Sequence, residues 1–235
     1  AFASDESFSP IIEEEREMFE DMYPKAKLKP IYTNEYDEVD MLMRGKICLA
    51  ITARDFTPKQ LKYLQDNNFQ PVAIKLAYDG LALIVNKNNN DTCISVNDVK
   101  RILSGQVTEW NQIYPGSHRG KIKIVFDNPK SSTVKFCEDS ILGGHGISNV
   151  NASAVKTSAG VIDFVEKTPN AIGVIGSNWL NDKRDTTNTT FKKNIHVMSV
   201  SKMDKATEMN SWKPYQAYIF NGRYPFIRTI YALIN

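Results

Sequence analysis

Three hydroxyl residues in a row, Ser131-Ser132-Thr133, follow the turn signal Asn128-Pro129 and the alternating apolar run Ile122, Ile124, Phe126. Residues 121–136 (KIKIVFDNPKSSTVKF) therefore read as a strand, a short polar loop and the start of a helix that runs from Ser131 to about Leu142. Such a junction gathers free backbone N–H groups, the positive end of a helix dipole and side-chain hydroxyls at one place, which is the chemistry of an anion cradle. The plainer reading is that Ser131 only caps a helix after an ordinary strand-to-helix turn. The loop alone leaves both open.

The other residues able to do chemistry are dispersed. His118, His145 and His196 show neither metal-ligand spacing nor a nucleophile–base pairing, and read as structural. Cys48, Cys93 and Cys137 contain no Cys-x-x-Cys, and an odd count excludes a fully paired set within one chain. Their apolar neighbours assign all three to the core. No metal and no cofactor is expected.

The elements that must position the loop alternate. Residues 7–23 read as an amphipathic helix capped by Ser7 or Ser9, with Pro10 in its first turn and Ile11, Met18, Phe19 and Met22 as its apolar stripe. A short strand over 28–32, a helix over 37–44, a buried strand over 46–52 (KICLAIT) and a helix from Thr57-Pro58 to about Asp66 follow. Strands at 72–76 and 81–85 flank Asp79-Gly80, and a helix spans 96–103. Beyond the opening stretch come a helix over 159–167, a buried strand over 171–175, a polar loop over 183–193 and a strand over 195–200. Residues 215–220 and 227–233 read as strands or extended segments. This alternation is that of a parallel α/β sheet.

Composition narrows the function. The chain has 235 residues, enough for one large domain or two small ones, with 42% hydrophobic and 24% charged residues, as in an ordinary soluble globular protein. A formal net charge of +2 with scattered Lys and Arg argues against nucleic acid, and no apolar run approaches the ~20 residues of a membrane span. The chain opens Ala1-Phe2 without Met and without a signal peptide, as a mature or trimmed form would.

Four stretches together resemble the phosphate-binding proteins of phosphate ABC transporters, a branch of the type II periplasmic solute-binding fold. They are SVNDVKRILSGQVTEWNQI (95–113), TPNAIGVIG (168–176), YDGLALIVN (78–86) and KPYQAYIFNGRYPFIRTIY (213–231). The similarity covers roughly residues 4–233, with weak patches at 30–45 and 180–195. Against the family's pattern the strand before Ser4 reads as clipped and the last helices after Asn235 as absent. The resemblance implies two α/β lobes, 1–82 with 201–235 and 83–200, each a mainly parallel sheet flanked by helices, closing on a buried anion.

The family's ligand loops carry over unevenly. In Asp127-Asn128-Pro129-Lys130-Ser131-Ser132-Thr133, Ser131 and Thr133 match, Ser132 replaces a glycine, and Asp127 sits where the family has its anion-binding arginine. In Asp5-Glu6-Ser7-Phe8, Ser7 and the N–H of Phe8 match. In Thr52-Ala53-Arg54, Thr52 matches, Ala53 replaces the aspartate that accepts a phosphate proton, and Arg54 stands ready to restore positive charge. The implied ligand set is Ser7, Phe8, Thr52, Arg54, Ser131, Ser132 and Thr133. The carboxylates Asp5, Glu6, Glu35 and Asp127 would repel a dianion and must pair, be protonated or face away.

The expected function is that of a monomeric, non-catalytic, extracytoplasmic solute-binding protein, lipid-anchored if a removed N-terminal segment carried an anchor. It would present phosphate or a similar oxyanion to an ABC permease, with no nucleic-acid partner. A diverged sensory or interaction module of the same fold, binding another small ligand, is the alternative. An enzyme with Ser131 as nucleophile stands third, because no base lies beside it in the motif.

Overall fold

The structure, a computed structural model, describes residues 1–181 and 191–235. Most of the expected polar loop at 183–193 thus lies outside the described residues. In chain order the elements are β1 (Phe2–Asp5), α1 (Ser9–Met22), β2 (Pro30–Thr33), α2 (Glu35–Met43), β3 (Leu49–Thr52), α3 (Pro58–Asp66), β4 (Val72–Asn86), β5 (Cys93–Ser95) and α4 (Val96–Leu103). There follow β6 (Lys123–Phe126), α5 (Ser132–Phe136), β7 (Ala152–Ala154), α6 (Ser158–Lys167), β8 (Ala171–Gly176), β9 (Ile195–Val197), β10 (Ser199–Ser201), β11 (Ser211–Trp212), α7 (Gln216–Phe220) and β12 (Ile227–Ile234). By contact the chain divides into unit 1 (residues 1–78, 130–132 and 228–235) and unit 2 (79–129 and 133–227). Both are α/β, the class expected from the sequence.

Unit 1 is built on a sheet in the order β2-β1-β3-β12, parallel except for β12, which runs antiparallel to β3. Strand alternation sorts its side chains to two faces. Ala50 and Leu233 pack with Val39, Leu42, Phe56 and Leu64, while their neighbours Ile51 and Ala232 pack with Phe8 and Ile230. The helices start where their caps place them. Asn34 accepts from the Asp37 N–H ahead of α2, and Thr57 and Gln60 form a reciprocal capping box on α3. The first loop differs from expectation. A single 3-10 turn, Glu6–Phe8, capped by the carboxylate of Asp5, precedes α1, and α1 itself starts after Phe8 without a side-chain cap from Ser7 or Ser9. Of the stripe expected on α1, Ile11 packs against the core, whereas Met18 and Met22 are exposed. The strand leading to this loop is present as Phe2–Asp5, parallel to β2 and β3.

In unit 2, β4 is antiparallel to both β8 and β9, β6 is parallel to β8 and to β7, and β5, β10 and β11 form a separate three-stranded sheet. The core gathers around Trp110, Tyr224, Ile94, Leu103 and Ile124. Residues 201–227 cluster with this unit. Ser199–Ser201 pairs in register with Cys93–Ser95, and the Tyr224 hydroxyl donates to the Leu81 carbonyl.

Several elements depart from the sequence reading. Asp79-Gly80 does not break the strand: β4 runs unbroken through it. The polar pair is satisfied sideways, with the Ser177 hydroxyl donating to Asp79 at 2.8 Å and Gly80 N–H donating back to Ser177 at 3.3 Å. Gly80 serves close approach, since a Cβ there would meet Ile219 at 3.0 Å and Pro214 at 3.1 Å. Within 215–220 the chain forms the short helix α7, Gln216–Phe220, with Tyr215 at its N-cap, because Tyr215, Tyr218 and the buried Ile219 follow helical spacing, which outweighs alternation over so few residues. The helix after Ser131 begins as α5 and passes into a π-helical turn over Cys137–Ile141. Of the cysteines only Cys137 is buried; Cys48 is exposed, and none is in a disulfide.

Gly173 of β8 tests how tightly unit 2 is packed. A Cβ would lie 2.7 Å from Val161, 2.8 Å from Ile84 and 2.8 Å from Val165. Gly173→Ala is therefore expected to destabilise by about 1–3 kcal/mol through overpacking, read as a lower urea midpoint with an unchanged slope.

Candidate functional site

Unit 1 brings together residues far apart in sequence around Asp5. The Asp5 carboxylate closes the end of β1, accepting from Ser7 N–H at 2.9 Å through one oxygen and from Ser132 N–H at 2.9 Å through the other. The hydroxyls of Ser7 and Ser132 are 3.1 Å apart. The Arg228 guanidinium, from β12, donates to Ser132 Oγ at 2.8 Å and to Ser7 Oγ at 3.2 Å, and its carbon lies 4.4 Å from the centre of the Phe8 ring. Asp5, Ser7, Phe8, Ser132 and Arg228 are all at most 3% exposed, so these groups are answered by one another and not by bulk water. The result is one cation, one carboxylate, two hydroxyls and two backbone donors within one small volume, the group types that recognise an oxyanion.

The second set of expected ligands lies after β3. Thr52 is fully buried, and its hydroxyl donates to the Arg54 carbonyl while accepting from Arg54 N–H, which fixes the loop. Arg54 turns to α2: its Nε donates to Glu35 Oε1 at 3.2 Å, and its Nη1 donates to the Gln60 side-chain oxygen and the Asp55 carbonyl. Glu35 also accepts from Ala53 N–H. Burial pushes the Glu35 carboxyl up and the Asp5 charge adds to this, while Arg54 and Arg228 pull it down. One helical turn on, Glu38 is fully buried, and neither of its oxygens finds a partner in normal hydrogen-bond geometry. Burial first, then the charges of Asp5 and Glu35, hold its carboxyl well above the ordinary glutamate range; Arg54 and the Asp5 backbone oppose this only in part.

Ser131 is buried within unit 1. Thr133 belongs to unit 2, where its hydroxyl donates to Asp127 Oδ1, and both residues are buried. Asp127 thus holds the turn from β6 into α5. Of the carboxylates flagged as repulsive, Asp5, Glu35 and Asp127 all have partners, and Lys130 lies 4.8 Å above the Tyr36 ring.

Two residues of this cluster escaped sequence reasoning. Arg228 leaves a legible trace: it shares the buried face of β12 with Ile230 and Ala232, at positions 228, 230 and 232, so a cation stands in the register of the core. Glu38 lies in a helix of mixed composition, and nothing in its spacing marks it. Among the described residues no group of three His, Cys, Asp or Glu could hold a metal ion, and no helix is long and apolar enough to cross a membrane.

Comparison with known proteins places this geometry in a family. The chain is 23% identical over 228 residues to the phosphate-binding protein PstS of Staphylococcus aureus (strain USA300), covering 97% of this chain and 65% of that protein. It spans 55 to 65% of the length of such relatives. Its fold is similar to that of a Clostridium perfringens protein crystallised with bound phosphate (TM-score 0.79, 19% identity, 100% of this chain and 85% of that one). It is also similar to an ABC-type phosphate transport receptor from Vibrio cholerae (TM-score 0.68, 20% identity, 99% and 86% covered). The profile of the PBP superfamily domain matches residues 2–235, and the chain belongs to that superfamily.

Proposed function

We propose that the protein is a non-catalytic solute-binding protein that captures inorganic phosphate or a similar oxyanion and presents it to an ABC permease outside the cytoplasm. One observation carries the reading: a buried arginine, Arg228, sits on the hydroxyls of Ser7 and Ser132, two of the positions the family resemblance assigns to the ligand. It supplies the positive charge that Asp127 cannot, and does so from another strand. The names of the relatives support phosphate as the first anion to test. In this reading Ser7, Phe8, Ser131, Ser132 and Arg228 receive the anion in unit 1, and Thr52 and Arg54 shape the neighbouring loop.

Titration of ligand-stripped protein with phosphate, sulfate and acetate in a calorimeter tests this. Phosphate is expected to bind, and Ser132→Ala to weaken it about tenfold, since one hydroxyl hydrogen bond to a charged group contributes roughly 1.5 kcal/mol, while the lost acceptor for Arg228 lowers stability by a similar amount without unfolding the protein. Absence of any phosphate heat, or an unaltered affinity in Ser132→Ala, would reject the assignment. The second reading is a diverged module for a different small ligand. It is favoured by the engagement of Arg54 with Glu35, and preferential binding of an organic amine over phosphate would establish it.

A further inference from the structure

The donors that an entering oxyanion would use already have an acceptor belonging to the protein. The two Asp5 oxygens divide the work: one takes Ser7 N–H, the other takes Ser132 N–H, each at 2.9 Å. These backbone groups lie 125 residues apart in sequence, and the hydroxyls of the same two residues meet each other and Arg228. A carboxylate has the charge and the twin-oxygen shape of part of an oxyanion, and here it is completely buried. A local cap would need only the Ser7 contact. The reach to Ser132 makes Asp5 a bridge between the first loop and the hydroxyl loop.

We propose that Asp5 is a built-in competitor for the ligand: it occupies the backbone donors of the site as an intramolecular counter-anion, and an external oxyanion binds by displacing it. The inference rests on the oxyanion reading above. The Asp5 side chain is tethered, so no ligand-sized entropy is lost when it returns, and weakly bound anions are turned away. Anions offering more acceptors than a carboxylate have the advantage in the exchange. The site should therefore prefer tetrahedral oxyanions over acetate or formate. An uncharged amide at this position keeps an acceptor for one N–H but gives up the charge and the second acceptor.

Calorimetric titration of the full chain and of Asp5→Asn with inorganic phosphate tests the proposal, with circular dichroism to verify folding. The expected result is phosphate affinity raised at least tenfold in Asp5→Asn, with the wild type discriminating more strongly against acetate than the variant does. Asp5→Ser, whose hydroxyl still caps the first loop, is measured beside it and decides the matter if the amide variant does not fold. Wild type that binds phosphate with both variants equal or weaker overturns the role of Asp5 and leaves the oxyanion reading intact. No phosphate binding by any of the three folded proteins overturns the oxyanion reading, and this inference with it.

Discussion

Arg228→Ala is expected to lose phosphate affinity by at least ~100-fold and to lower stability by roughly 3–5 kcal/mol. The two effects have one origin. The guanidinium is 3% exposed, its nitrogens lie on Ser7 and Ser132, and its face rests on the Phe8 ring. Truncation removes the cation that offsets the buried carboxylates nearby. It also strips the Phe8 ring of a cation–π contact worth about 1–2 kcal/mol when desolvated. A neutral hydroxyl pair remains, and it cannot answer a dianion taken out of water. Arg228→Lys separates charge from shape. Lysine keeps the charge but cannot span two hydroxyls with a planar fork, so stability should recover more than affinity does. Urea unfolding and phosphate titration of both variants provide the check. Arg228→Lys or Arg228→Ala binding phosphate within threefold of wild type would remove Arg228 from the ligand set.

How much of this was legible in the sequence depends on the range of each interaction. Elements written in local code read correctly: the Thr57-Pro58 start of α3, the end of β3 at Thr52, and the hydroxyl-led start of α5, although the strand expected over 46–52 narrows to Leu49–Thr52. Asp79-Gly80 carries the local code of a turn and lies mid-strand, because Ser177, 98 residues away, satisfies the polar side chain there. The site shows the same division. Ser7 and Ser132 were named through the family resemblance, and the structure brings them into contact. Thr52 and Arg54 were also named, but they bond chiefly to each other, to Glu35 and to Gln60. Arg228 and Asp5 gain their meaning only from pairings across more than ninety residues, which no periodicity encodes.

Glu38→Gln is expected to reverse its effect on stability with pH. In the folded protein the Glu38 carboxyl is buried beside Asp5 and Glu35, and its pKa is raised, so it holds its proton to higher pH than in the unfolded chain. In the unfolded chain it ionises near its ordinary value, about 4.3. Between these two values the folded state binds more protons, so wild-type stability falls as pH rises, by about 1.4 kcal/mol per unit for this one group. Below the ordinary value the loss vanishes, because both states are protonated. Glutamine carries no such proton. Near pH 4 the variant should be no more stable than wild type, since its amide is as poorly satisfied as the acid. By pH 8 it should be more stable by on the order of 1–3 kcal/mol. Glu35 retains a smaller slope of the same sign in both proteins, offset in part by Arg54. Urea unfolding at pH 4, 6 and 8 gives the two curves, and parallel curves would show that Glu38 is ionised in the fold. A crossing would mean that α2 keeps, at neutral pH, a carboxyl that weakens the fold one helical turn from the Glu35–Arg54 pair. Buried groups that act against stability are characteristic of functional sites. Its place among the charges around Asp5 ties that cost to the same cluster that binds Ser7, Ser132 and Arg228 together.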